Sequence, residues 1–348
     1  MRLLVTGGAG FIGSTFVARR LAGSGDSIVV LDKLTYAGLR ENLAHLEADA
    51  TLGSRLRFVH GDICDASLVG PLVADADAVV NFAAETHVDR SIAAADEFLQ
   101  TGVIGLHVLL AAARDAAASR SGGGPRFVQV STDEVYGSID VGAADEAAPL
   151  APRSPYAAAK AAGDLLCRAF HVTHGLDVVV SRGANTYGPR QHPEKLVPLF
   201  ITSALDDAPL PLYGDGLQRR DWLYVDDHAD AIGLLLDRGE SGAFYNVPGG
   251  QERTNREVAL KILAATRKPR DLLRTVEDRP GHDRRYAMTG GRLAALGWRP
   301  AVGFDDGIRQ TVAWYTANRA WWLHARGPGW ADYYERQYGR RLAGSTPA

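Results

Sequence analysis

A run of glycines set between a strand-like and a helix-like segment restricts what this chain can become. Residues 3–5 are a short apolar run of the kind a buried parallel strand shows. TGGAGFIG follows from Thr6, and a helical pattern runs on from Phe11. Gly7, Gly10 and Gly13 fit G-x-x-G-x-x-G, and Gly8, Gly10 and Gly13 also fit G-x-G-x-x-G. Glycines at this spacing let the backbone approach a pyrophosphate closely at a helix N-terminus. Residues 27–31 (SIVVL) predict a second strand. Asp32 at its end stands about twenty positions past the glycines, where a carboxylate meets a ribose hydroxyl. A carboxylate there repels a 2'-phosphate and favours NAD over NADP, with the adjacent Lys33 pulling the other way.

The alternation continues. Residues 56–60, 78–82, 126–130 and 177–181 predict the third to sixth strands. A long helix is expected over about 89–118, with Gly102 and Gly105 marking close packing or ligand approach. Ser154 and Pro155 supply a cap and a first-turn proline for a helix running to about His174. This is an α/β pattern, a Rossmann-type doubly wound parallel sheet over residues 1–184. From Asn185 the alternation fails. Residues 185–348 read as a smaller, discontinuous C-terminal α/β lobe, with a strand and helix near 219–238 returning to the main sheet. The tryptophans of the tail are expected in its core.

Composition excludes several classes of function. The chain has 348 residues, 46% hydrophobic and 23% charged, with net charge -3 and no charged block. That gives no electrostatic case for nucleic acid or an anionic membrane. Cys64 and Cys167 are far apart, show no metal-type spacing, and read as core thiols of a reducing compartment. No uninterrupted apolar stretch reaches spanning length, and no signal-peptide anatomy precedes the glycines, so a cytoplasmic enzyme without a metal is expected.

The chemistry is expected at the end of the fifth strand. STDEVYG (131–137) follows it directly, placing Thr132, Asp133 and Glu134 at the sheet edge where ligands bind. Tyr156 and Lys160 are four apart, on one helix face. A lysine beside a phenol is expected to lower its pKa and make it a usable base. Asp62, at the end of the third strand, either bonds an adenine amine or caps the next helix. His87 is either a ligand contact or a satisfied core histidine.

With these residues in place the sequence resembles the extended short-chain dehydrogenase/reductases, and among them the dTDP-glucose 4,6-dehydratase family. LDKLTYAG (31–38), AAETHVDRSI (83–92), HPEKLVP (192–198), RDWLYVDDH (220–228), RPGHDRRYA (279–287) and VAWYTANRAWW (312–322) carry the resemblance beside STDEVYG. It implies NAD held by Gly7, Gly10, Phe11, Ile12, Gly13, Asp32, Lys33, Leu34, Thr35, Asp62, Ile63, Phe82, Ala83, Ala84, Thr86, Thr101, Tyr156 and Lys160. It implies a nucleotide-sugar substrate held by Thr86, His87, Thr132, Asp133, Glu134, Asn185, Lys195, Leu196, Pro211, Tyr213, Arg220, Asn255, Arg279 and His282. Thr132, Asp133, Glu134, Tyr156 and Lys160 would be catalytic. Tyr156 would take the proton of the sugar 4-hydroxyl, Glu134 the proton of carbon 5, and Asp133 would protonate the departing 6-hydroxyl. A 4-epimerase would use Tyr156 and Lys160 without the acid pair. The resemblance also implies a homodimer through helices around 96–118 and 154–174. Two departures stand out: NTYGP has Thr186 where the family has asparagine, and TGVIG has Gly102 where it has asparagine.

Overall fold

A computed structural model describes residues 1–279 and 281–347. The first half alternates β1 (Arg2–Thr6), α1 (Phe11–Gly23), β2 (Ser27–Asp32), β3 (Leu56–His60), α2 (Ala66–Asp75), β4 (Ala78–Asn81), α3 (Leu106–Ser119), β5 (Arg126–Thr132), α4 (Pro155–His174) and β6 (Val178–Gly183). The chain then departs through β7 (Asn185–Tyr187), α5 (Leu196–Leu205), β8 (Leu210–Tyr213) and β9 (Arg219–Tyr224). It returns through α6 (Val225–Arg238) and β10 (Phe244–Val247). A second departure follows, through β11 (Glu252–Thr254), α7 (Asn255–Thr266), β12 (Leu273–Val276), α8 (Phe304–Ala317) and α9 (Arg319–Arg326).

Seven strands pair in the order β10-β6-β5-β4-β1-β2-β3, every pair parallel. Side chains alternate faces along a strand, and here each face has its own core. Leu3, Val5, Val80, Val128 and Val130 pack under α1 and α6. Leu4, Val79, Phe127, Val178 and Val180 pack under α2, α3 and α4. Covering on both faces explains why the strands read as unbroken apolar runs. The strand order reverses at β1, whose neighbours are β2 and β4. The connections diverge there and open a crevice above the strand ends.

The expected return near 219–238 is made differently. β9 pairs with β7 and β11 in a separate three-stranded sheet, and only α6 comes back to the main one. The strand that rejoins is β10, alongside β6. A second small sheet joins β8 and β12 in parallel. Around both, Tyr187, Phe200, Trp222, Phe304, Tyr315 and Trp322 form an aromatic core, which explains the tryptophan-rich tail.

The single helix expected over 89–118 is broken. Short helices at Val88–Ala93 and Asp96–Leu99 lead into a widened turn at Gln100–Gly105 before α3. Glycine is required in this turn at Gly105 but not at Gly102. A Cβ on Gly105 would lie 2.6 Å from Ile63, and one on Gly102 would touch Ala159 at 3.4 Å. The widened turn shifts register and brings Thr101 to the crevice. The helical run Asp96–Ser119 is long and apolar enough by composition to cross a membrane, although Asp96, Glu97, Arg114 and Asp115 interrupt its apolar residues.

Candidate active site

The glycine loop is built for contact. Gly7 has φ +68°, and a Cβ there would stand 2.6 Å from the Ala83 nitrogen. A Cβ on Gly13 would stand 2.3 Å from the Gly7 oxygen. Gly10 opens α1 without any side-chain cap, so the first amides of the helix are left for a ligand. The Asp32 carboxylate accepts from the Ala9 and Leu34 amides, both at 2.9 Å, and so pins the loop to the end of β2. Lys33 pairs with Asp62 at 2.8 Å. Asp62 is not the cap of the next helix. Asp65 caps α2, accepting from Ser67 and Leu68, which leaves Asp62 on the cavity wall.

One cavity runs from this loop to the end of β5. All the expected cofactor residues line it except Leu34. Leu34 sits at φ +53°, and its side chain packs against the core under α1 instead. The turn that lets its amide reach Asp32 directs the side chain away from the cavity. A second cavity adjoins the first and is lined by His87, Leu196, Pro211, Tyr213, Arg220, Asn255, Arg279 and His282. Glu134, Asn185 and Lys195 line both, so Glu134 stands where the two meet. Among the described residues, buried Asn185 Oδ1, Asn255 Oδ1 and His87 Nδ1 lack partners. The glycine cradle suits a dinucleotide.

The two adjacent carboxyls differ in setting. Asp133 lies behind Thr132 and lines neither cavity, unlike the expected contact residue. Thr132 bonds its Oδ1 at 3.2 Å, and its Oδ2 has no partner among the described residues. Burial, then Glu134 and Asp221, push its carboxyl well above the usual range. Its protonated form is therefore favoured. Burial also raises Glu134, but Arg279, Lys195 and Arg220 pull it back towards the charged form. Environments that separate two carboxyls in this way assign one as acid and the other as base.

Tyr156, in the first turn of α4, carries the Ser154 cap and Pro155 ahead of it. The expected effect of Lys160 upon it is absent. Burial raises the phenol, with Glu134 and Asp133 adding to the rise and Thr132 opposing it. Lys160 instead donates to the Val130 carbonyl at 2.9 Å, and burial lowers its own pKa to about 8, against the pull of Asp164.

The second cavity is cationic, but its cations are tethered. Arg279 pairs with Asp89 at 2.5 Å. Arg220 donates to the Asp283 carbonyl at 2.9 Å and lies 4.2 Å over the Tyr286 ring. Burial and Arg279 hold the His282 pKa at about 4, so it is a neutral ligand near pH 7. His87 is likewise held at about 4 by burial. Lys195 donates to the Thr86 carbonyl, tying the two cavities together.

Several wall residues escaped the sequence reading. Glu194, whose side chain is fully buried, pairs with Arg90 at 3.0 Å, and Arg90 lies 3.9 Å over Tyr36 and 5.2 Å over Tyr333. Gln337 bridges Asp89 and Tyr213, at 2.7 Å from each, and Tyr338 lines the second cavity. The tail motif ends before these residues, and no local spacing signals partners more than 100 positions away. HPEKLVP pointed to Lys195, and a carboxylate beside it carries no mark of burial.

The model of the GDP-mannose 4,6 dehydratase family matches residues 4–311. A dTDP-glucose 4,6-dehydratase of Streptomyces niveus is 54% identical over 334 residues, covering 94% of this chain and 96% of its own. Among solved structures, a double mutant of the dTDP-glucose 4,6-dehydratase DesIV of Streptomyces venezuelae, with NAD and DAU bound, superposes with TM-score 0.89. It is 53% identical, covering 93% of this chain and 100% of that one. The UDP-glucose 4-epimerase of Thermus thermophilus, in complex with NAD, follows at TM-score 0.82 and 34% identity, covering 91% and 100% of the two chains.

Proposed function

The chain belongs to the family of the dTDP-glucose 4,6-dehydratases, and on that premise we propose how its own residues convert dTDP-glucose to dTDP-4-keto-6-deoxyglucose. NAD+, which the glycine loop and Asp32 would hold, would supply the redox chemistry, as hydride acceptor from carbon 4 and donor to carbon 6. Tyr156 accepts the proton of the 4-hydroxyl. Thr132 hydrogen-bonds the same oxygen and fixes its distance from Tyr156. The ketone at carbon 4 acidifies carbon 5, and Glu134 removes that proton. Asp133 gives its proton to the 6-hydroxyl, which leaves as water. Carbon 5 is reprotonated as hydride reaches carbon 6, so the sugar loses water with no net oxidation. Arg220, Arg279 and Lys195 suit the diphosphate, and an arginine fork matches its oxygens.

The observation that carries this reading is the adjacent carboxyl pair at the end of β5, Glu134 where the two cavities meet and Asp133 buried directly behind Thr132. An epimerase needs no such pair. Incubation with dTDP-glucose, without added NAD, is expected to yield the 4-keto-6-deoxy product, read by its base-induced ultraviolet absorbance. Formation of dTDP-galactose without that product would replace this reading with the epimerase.

The enzyme works in the cytoplasm as a homodimer. Ile104 in the widened turn and Leu165 and Val172 on α4 are exposed at 48%, 58% and 72%, on the helices that cover one face of the sheet. A second copy seated there would cover them, and would account for the apolar run at 96–119 without a membrane. Sedimentation at micromolar concentration is expected to give the dimer mass. A monomer there would discard the interface.

A further inference from the structure

Arg182 joins two parts of the active site from behind, and the reaction above leaves it unused. In the main sheet it stands opposite Ser131 of β5 on one side and Asn246 of β10 on the other. Its side chain is buried, together with those of Asp164, Tyr136 and Asn246. Arg182 Nε donates to Asp164 Oδ2 at 2.8 Å, and Nη1 donates to the Tyr136 hydroxyl at 2.7 Å. That hydroxyl gives its own proton to Asn246 Oδ1 at 2.8 Å. Asn246 Nδ2 in turn donates to the carbonyls of Thr289 at 2.9 Å and Ala144 at 3.2 Å. The guanidinium also lies 4.6 Å over the Phe244 ring of β10.

The two ends of this chain belong to different steps of the reaction. Tyr156, Lys160 and Asp164 are spaced four apart along α4 and share a face. Asp164 is therefore fixed to the helix that carries the oxidising pair. Tyr136 closes the tight turn Asp133–Tyr136, which carries both carboxyls of the eliminating pair. Arg182 is bonded to both. A buried ion pair stabilises a fold little more than apolar groups of the same size. What a guanidinium adds is a planar fork that fixes two partners at once. Oxidation at carbon 4 calls on α4 and Thr132. Elimination also needs the turn held at the right distance from α4.

We infer that Arg182, acting through Tyr136 and Asp164, is a positioning residue that sets the acid turn against α4 and so holds Asp133 and Glu134 in register with Tyr156. The inference rests on the reaction proposed above.

Tyr136→Phe tests it, because the change removes only the hydroxyl and keeps the buried Arg182–Asp164 pair. On mixing with dTDP-glucose, the rate at which NADH absorbance first appears is expected to match wild type. Exchange of the carbon 5 proton with deuterated solvent, and formation of the 4-keto-6-deoxy product, should fall roughly 10- to 100-fold, as for a reacting group displaced by about 1 Å. Bound NADH should therefore accumulate. Arg182→Lys keeps a charge beside Asp164 without the fork and should give the same split between the steps. It decides the matter if Tyr136→Phe does not fold. The unfolding midpoint is measured beside each rate. Oxidation and elimination slowed by the same factor mark a structural role and overturn the inference, as do two variants that both fail to fold. Unchanged elimination in the folded variants overturns it while dehydration by the wild type stands. A wild type that forms no 4-keto-6-deoxy product overturns both this and the proposed function.

Discussion

Replacing Glu134 by glutamine is expected to stop the loss of water while carbon 4 is still oxidised. Glutamine keeps the shape of the side chain at the junction of the two cavities and removes only its ability to take a proton. Removing a positioned general base typically costs about 10²–10⁴-fold. Because Tyr156 and Lys160 remain, enzyme-bound NADH should accumulate on mixing with dTDP-glucose, visible by absorbance, and exchange of the carbon 5 proton with deuterated solvent should cease. The wild type should show the matching pH dependence. Glu134 must be ionised, and its raised pKa sets an acid limb: elimination falls as pH drops through that value. Asp133 must be protonated, and its higher pKa sets a basic limb: elimination falls as pH rises through it. Glu134→Gln should lose the acid limb along with the rate. If elimination continues unchanged in the variant, the carbon 5 base lies elsewhere.

Tyr156→Phe should abolish both steps. The phenol is buried against the edge of Phe98, with ring centroids 6.3 Å apart, so phenylalanine fits the same space. NAD content and unfolding midpoint should therefore stay close to wild type while kcat falls by about 10²–10⁴-fold. No NADH should build up, which separates this variant from Glu134→Gln. Residual turnover within tenfold of wild type in Tyr156→Phe would place the base for the 4-hydroxyl on another group.

Local pattern foretold the first half of the molecule and failed in the second. The apolar runs marked β1 to β6 to within a residue or two, because strands buried on both faces need an unbroken apolar stretch. Ser154 and Pro155 located the start of α4, because a cap is a local bond. β9 was assigned to the wrong sheet, since its partners β7 and β11 are chosen by packing around Trp222 and Phe304, which no periodicity encodes. Tyr156 and Lys160 were legible as one helix face. The direction of the ammonium, towards Val130 and away from the phenol, was not. Leu34 failed for a similar reason, because a positive φ reverses where its side chain points. Glu194 and Gln337 depend on contacts that only the folded chain creates.

The placing of β10 beside β6 bears on how the molecule comes into being. During synthesis the first six strands emerge well before residue 247, and until then β6 presents an open parallel edge. Sixty residues, α6 among them, must pass between the end of β6 at Gly183 and the start of β10 at Phe244. Nascent chains carrying an unpaired edge of this kind invite wrong partners. Folding and the making of the catalytic crevice are therefore one late event: Asp133 and Glu134 leave the ribosome early, yet they meet Arg220 and Arg279 only after nearly the whole chain has followed.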